Sequence, residues 1–265
     1  TVGGFMLTEP NAGSDAANVQ TTAVDKGDHY LVNGSKVWTS YADKSDWIFC
    51  LVRTDFDAPK HKGISFLLFD MASPGVSTNP IKLISGKSPF CETVCENVKV
   101  PKENLVGELN KGWDIAKYLL THEREMIGGF GLSRAGTKTL GQMAVSAIGV
   151  ADGRLAERGI RTDIADFEID EMAFALTIER VVDEAKAGQG TGAASSLLKL
   201  YGTELNKDRN ELLMSIGGSE ALAWESEGGE TQAQHWLRSK GNSIEGGTSE
   251  IQLNIIAKRI LGMPG

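Results

Sequence analysis

Residues 98–112 read Val98-Lys99-Val100-Pro101-Lys102-Glu103-Asn104-Leu105-Val106-Gly107-Glu108-Leu109-Asn110-Lys111-Gly112, and here the chain changes character. Upstream, short β-branched and aromatic runs are punctuated by Pro, Gly and charged residues, the pattern of strands. Downstream, from Trp113, apolar residues recur at helical spacing. Strands first and helices second is the α+β arrangement. The expected organisation is an antiparallel β-barrel-like domain over residues 1–105, followed by an antiparallel four-helix bundle over residues 106–265.

Working upstream, strands are predicted at Thr93 to Val100, Ile81 to Leu83, Gly63 to Phe69 and Trp47 to Val52. Asn33-Gly34, between His29-Tyr30-Leu31-Val32 and Lys36-Val37-Trp38-Thr39, predicts a hairpin because both turn residues tolerate positive φ. Residues Thr8-Glu9-Pro10-Asn11-Ala12-Gly13-Ser14-Asp15 gather turn formers and hydroxyls and read as a binding or connecting loop. Working downstream, two helices are expected within 113–150 and 163–187. A third runs from about 191 to 214, with Ala194, Leu197, Leu198, Tyr201 and Leu205 on one face. Gly217-Gly218 ends it.

The last segment with chemical character is Asn242-Ser243-Ile244-Glu245-Gly246-Gly247-Thr248-Ser249-Glu250-Ile251-Gln252. Gly246 and Gly247 let backbone approach a ligand closely. Ser249 and Gln252 have the spacing of a capping box. A glycine turn feeding a helix N-terminus offers free N–H groups to an anion.

Composition narrows the function. The 265 residues carry a net charge of −8, which argues against a general binder of nucleic acid or anionic membrane. Apolar runs such as Phe66-Leu67-Leu68-Phe69 fall far short of the roughly 18 residues of a membrane helix. Cys50, Cys91 and Cys95 make no paired framework, and no histidine completes a zinc site beside them, so they read as reduced structural thiols and no metal is expected. A cytoplasmic location follows, or the mitochondrial matrix in a eukaryote. No secretory signal is read at Thr1, and the missing initiator Met is what a processed chain or a fragment would show.

The ordered set Leu7-Thr8-Glu9-Pro10-Asn11-Ala12-Gly13-Ser14-Asp15, Asn33-Gly34, Lys36-Val37-Trp38-Thr39-Ser40, Val98-Lys99-Val100-Pro101, Glu123-Arg124 and Gly247-Thr248-Ser249-Glu250-Ile251-Gln252 resembles the acyl-CoA dehydrogenase family. The resemblance spans nearly the whole chain and implies that the family's N-terminal helical domain is absent from it. It implies FAD as cofactor, an acyl-CoA substrate, an electron-transferring flavoprotein as electron acceptor, and a homo- or hetero-oligomer. Thr8, Gly13 and Ser14 match the loop at the flavin, Trp38 the aromatic that packs on the ring, and Ser40 a hydroxyl near N5. Thr248, Ser249 and Glu250 match the turn at the ribose and pyrophosphate, with Glu250 expected on a ribose hydroxyl. Gly217 and Gly218 match a diglycine near the adenine half. Two positions depart from the family: Arg158-Gly159-Ile160-Arg161-Thr162 lacks the usual Arg and Phe, and Met214 stands where many members carry Gln.

The implied reaction needs a carboxylate to remove the α-proton of the thioester. Aligned on Gly247-Thr248-Ser249, Gly246 takes the usual base position and Glu245 the position before it. Members of the isovaleryl type carry the base on the first bundle helix, directly before an arginine, which here is Glu123 before Arg124. Glu123 is therefore the expected base and Glu245 the alternative. Ser14, Arg124, Glu245 and Gly246 are expected on the substrate side, with the Gly246 N–H aimed at the thioester carbonyl. Two rival readings are a non-catalytic subunit of a heteromeric dehydrogenase and an acyl-CoA oxidase, which would differ in reacting rapidly with oxygen.

Overall fold

The computed structural model describes residues 3–129, 138–189, 192, 194–225 and 229–264; at Phe5 and over 121–129 the description covers backbone alone. Two compact units make up the chain, residues 1–120 and 121–265.

The first unit is an eight-stranded sheet. Its strands are β1 (Gly3–Met6), β2 (Thr22–Asp25), β3 (His29–Ser40), β4 (Trp47–Arg53), β5 (Ile64–Asp70), β6 (Val76–Ile81), β7 (Phe90–Pro101) and β8 (Leu105–Val106). The order is β6-β7-β3-β2-β4-β5-β8, with β1 also against β4. The expected antiparallel barrel is corrected on two counts. The sheet is mixed, since β1 runs parallel to β4 from Gly3↔Trp47 to Met6↔Cys50 and β2 touches β4 in parallel at Thr22↔Arg53. It is also open: β6 and β8 lie at opposite ends and do not pair among the described residues.

The Asn33-Gly34 hairpin is a second correction. Strand β3 runs straight through these residues and pairs with β2 and β7 together. The turn lies earlier, where Lys26 N–H donates to His29 O at 2.9 Å and Gly27 takes φ 94°. Gly34 serves another purpose. It sits at φ 154° at a register shift, where a Cβ would lie 2.5 Å from Thr21 Oγ1 and 2.7 Å from Thr21 Cα. The glycine admits a neighbouring chain segment instead of reversing its own. The strand predicted at Ile81 to Leu83 is likewise displaced, to Val76–Ile81, where Pro80 is tolerated because β6 is an edge.

Alternation along the central strands gives the sheet two apolar faces. Ile48, Cys50, Val52, Leu67 and Phe69 join Val32, Val98 and Val100 on one. Leu51, Phe66, Ile64 and Val19 face the other way, against Ala116, Trp113 and Leu120 of α1 (Gly112–Gly129). Gly112 makes that approach feasible, since a Cβ there would lie 2.5 Å from the Ser65 carbonyl carbon.

In the second unit, α2 (Leu140–Ile148) leads through the small ribbon β9 (Val150–Ala151) and β10 (Arg154–Leu155) to α3 (Arg158–Lys186), α4 (Ala194–Gly217), α5 (Gln232–Ser239) and α6 (Ser249–Ile255). The chain then continues as a π-turn, Ile256–Ile260. Leu140 and Ala144 of α2, Phe167, Phe174 and Val181 of α3, and Leu198, Leu205 and Ile216 of α4 form the core. This described core joins α2, α3 and α4. The helical pattern expected at 163–187 falls on α3 to within one residue, and that expected at 191–214 falls largely on α4.

Candidate functional site

In the strand unit the candidate residues lie on the loop after β1 and on the second half of β3. The loop is built around buried charge. Lys36 of β3 is 0% exposed, and its ammonium donates to Glu9 Oε1 at 2.8 Å, Leu51 O at 2.7 Å and Leu7 O at 3.3 Å. Glu9 also accepts from Gln20 N at 2.7 Å and Thr21 N at 2.9 Å. Burial pushes the Glu9 carboxyl upward, but the charge and hydrogen bond of Lys36, with the bonds from Thr21 and Gln20, outweigh it and hold the group below its ordinary range. Arg53 secures the far side of the loop, donating to Ala17 O at 2.7 Å and Val19 O at 3.3 Å. With its root fixed, the loop holds Thr8 half-buried and Gly13 and Ser14 exposed, and Asp15 pairs with Lys60 at 2.8 Å.

Trp38 owes its position to a β-bulge. Lys36 pairs with Thr93 and Thr39 with Cys91, so three steps along β3 match two along β7. The extra residue leaves Trp38 at φ 62°, in the left-handed region that bulky residues avoid. Its indole is 52% exposed and meets Phe90 edge to face at 6.1 Å. Ser40, at the end of β3, is exposed as well.

In the helical unit the glycine-rich turn is fastened to α4. Lys199, itself buried, donates to Asn242 O at 2.9 Å; Asn206 donates to Asn242 Oδ1 at 2.8 Å and Lys207 to Ser243 Oγ at 2.7 Å. Gly246 and Gly247 take φ 66° and 90°. The helix start corrects the expected capping box. Thr248 is the N-cap, its hydroxyl accepting from Ile251 N at 3.3 Å, while Ser249 donates to Glu204 Oε1 at 3.3 Å. Gln252 cannot reach back because it is fully buried and donates to Gly246 O at 2.8 Å. Glu250 is exposed at the helix start. Its own backbone N–H and the Thr248 hydroxyl hold its carboxyl below the ordinary range against slight desolvation, with Lys199 adding a smaller attraction.

Glu245 is engaged locally. Arg238 Nη2 donates to its Oε2 at 2.7 Å, and Asn242 donates to its Oε1. Glu123 and Arg124 lie in α1, but their side chains fall outside the described residues. Gly217 closes α4, and Gly218 follows at φ 53°. Arg158-Gly159-Ile160-Arg161-Thr162 forms the first turn of α3, and Met214 is half-buried on α4. Clefts of about 520 Å³, beside Asp43, Trp47 and Asp70, and about 600 Å³, beside Lys138, Thr139 and Val145, include none of the expected site residues.

From sequence, Lys36, Arg53 and Lys199 carry no assigned role, and Gln252 only that of a capping-box partner. A signal for the first was present: Lys36 shares the strand parity of the inward Tyr30 and Val32. The three cysteines are free, and burial raises Cys50 to about 11 and Cys95 to about 12, which marks both as inert thiols.

Residues 4–98 match the family model for the acyl-CoA dehydrogenase middle domain, and residues 110–261 match that for the acyl-CoA dehydrogenase C-terminal domain. The chain belongs to the acyl-CoA dehydrogenase family. It is 38% identical to acyl-CoA dehydrogenase FadE34 of Mycobacterium tuberculosis over 98% of this chain and 35% of that protein. It is 34% identical to acyl-CoA dehydrogenase IpdE1 of the same organism over 97% of this chain and 66% of that protein. It thus spans from about a third to about two thirds of these relatives. Among solved structures, the Tcur3481-Tcur3483 steroid ACAD matches with a TM-score of 0.88 at 32% identity, covering 99% of this chain and 68% of that one.

Proposed function

We propose that the chain forms the middle and C-terminal parts of an FAD-dependent acyl-CoA dehydrogenase that converts an acyl-CoA thioester to its trans-2-enoyl form. The observation that carries this reading is Trp38, held outward by a strained bulge beside Thr8 on a rigidly anchored loop. An exposed indole with neighbouring hydroxyls suits a flat ring with a polar edge. The residues fit the group: Ser14 and Ser40 are exposed, and a Cβ on Gly13 would meet nothing within 4 Å. Bound FAD would supply the acceptor for the β-hydride.

Glu123 takes the α-proton in this reading. Support for it comes from Glu245, whose carboxylate oxygens are already committed to Arg238 and Asn242. Gly246 would donate its N–H to the thioester carbonyl, where enolate charge develops. Arg124, Ser14 and Glu245 would line the substrate side, and Thr248, Glu250, Gly217 and Gly218 the adenosine side of the cofactor. The boundary between the parts stays near residues 105 and 106, and an electron-transferring flavoprotein would receive the electrons. The steroid named for the similar structure supports a bulky acyl group, as does the missing side chain at Gly246. Buried, unpaired thiols accord with a cytoplasmic setting.

The test is the visible spectrum of the purified full natural chain before and after linear, branched and steroidal acyl-CoA thioesters. Flavin bleaching by a bulky thioester is the expected result; a flavin that no thioester bleaches would overturn the reading. A second reading, a partner subunit in a heteromer, is favoured by Met214 and by the Arg158 to Thr162 departure. It is distinguished by a colourless chain that acquires flavin only when mixed with a second subunit.

A further inference from the structure

Lys36 occupies a place where a lysine is costly. Its side chain is 1% exposed and that of its partner Glu9 4%. The ammonium has three acceptors, Leu7 O, Leu51 O and Glu9 Oε1, and so uses its full donor capacity. Together the two residues bind four separate stretches of chain: 7–9, 20–21, 36 and 51. A well-packed apolar pair would fill the same volume and is often as stabilising or more so, because a buried ion pair carries a large desolvation cost. The expense points to a role beyond stability.

The surroundings identify that role. Thr8 lies between two residues that Lys36 holds, through the Leu7 carbonyl and the Glu9 carboxylate, and its own carbonyl accepts from Val37 N at 2.9 Å. Trp38 follows Val37 directly. In a regular strand Lys36 and Trp38 would share a face, and the indole would turn toward the interior with the lysine. In the bulge, Lys36 and Thr39 are the inward residues, 0% and 2% exposed, and Trp38 is turned out. A tryptophan at φ 62° persists only where its surroundings over-determine it. The lysine two residues earlier, bonded in three directions, is such a constraint.

We propose that the buried Glu9–Lys36 pair is a positioning device: it locks the β3 bulge and the root of the Thr8 loop together, so that Trp38 and Thr8 form one rigid surface for the flavin. The assignment of that surface to flavin rests on the proposed function, whereas the coupling of the pair to Trp38 does not.

The experiment uses the full natural chain with the double substitution Glu9→Gln/Lys36→Met, which removes both charges at similar volume. Two quantities are read: FAD affinity of the flavin-stripped protein, and the near-ultraviolet circular dichroism of Trp38, isolated as the difference between each background and its Trp38→Phe counterpart without flavin. The expected result is a cooperatively melting protein whose Trp38 signal collapses and whose FAD dissociation constant rises at least about tenfold. An unchanged Trp38 signal in the folded double variant overturns the proposal, whatever the flavin does. If the unsubstituted chain binds no FAD, the functional reading fails, and the Trp38 signal alone decides the positioning role. Should the double variant not melt cooperatively, Glu9→Gln/Lys36→Gln, which keeps a donor and an acceptor, is read in the same way.

Discussion

Glu9 and Lys36 meet at 2.8 Å with both side chains nearly sealed from water, so neither can lose its partner cheaply. Glu9→Gln alone leaves an ammonium buried without its counter-charge. It should cost about 3–5 kcal/mol in chemical denaturation, and much of that should return when Lys36→Met is added. The same pair sets an acid limit. The Glu9 carboxyl sits below its ordinary value near 4.5, so the folded chain binds fewer protons than the unfolded chain around that value. Its stabilisation is complete above about pH 4.5 and is lost as pH falls through the lower native-state value. Melting temperature followed downward from neutral pH should therefore fall more steeply for the unsubstituted chain than for the double variant. Equal slopes would show that Glu9 does not carry the acid sensitivity.

At the scale of elements, Gly34 and Thr248 show where local signals mislead. An Asn-Gly pair between alternating strands is a strong short-range hairpin signal. Yet β3 continues through it, because Gly34 is required by the approach of Thr21, a residue from a different stretch of chain. Gly34→Ala should destabilise by about 1–3 kcal/mol or more, since the new Cβ meets backbone as well as side chain, whereas a surface turn would tolerate it with less loss. Urea unfolding of that single variant separates the two pictures. The helix at 248–252 is capped by Thr248, one residue before the cap that its motif implies, for a related reason. The motif S-x-x-Q is visible in sequence, but the burial of Gln252 and its bond to Gly246 O are tertiary facts. Thr248→Ala should cost about 0.5–2 kcal/mol as a lost N-cap. Ser249→Ala should be milder, because its contact with Glu204 at 3.3 Å is long and half-buried. Features of local period were legible in the sequence: the strands Trp47–Arg53 and Ile64–Asp70, and the end of α4 at Gly217. Sheet order, the parallel placement of β1 and the bulge at Trp38 were not, because each depends on residues distant in sequence.

At the scale of the whole chain, the change from strands to helices was readable from the change in period at Trp113, and the ordered motifs were enough to name the family. Within the proposed reaction, they leave to argument which carboxylate would remove the proton. Glu245 is fixed by Arg238 and Asn242 within the turn it belongs to, a duty that would compete with proton transfer. Its pair with Arg238 is partly exposed, at 29% and 36%, so neutralising it should perturb the turn only slightly, by about 1 kcal/mol or less. Glu123 precedes Arg124 on the helix whose first turns pack on the sheet through Trp113, Ala116 and Leu120. In the full natural chain loaded with FAD and given a reactive thioester, Glu123→Gln should lower kcat by about 10²–10⁴-fold, the usual contribution of a positioned general base. KM should change little, because Gln keeps the volume of Glu. Glu245→Gln should leave kcat within about threefold, in keeping with the small energy of a partly exposed pair. The reverse pattern, with the turn variant silenced and the helix variant active, would move the base to Glu245 and oblige Arg238 and Asn242 to release it during turnover.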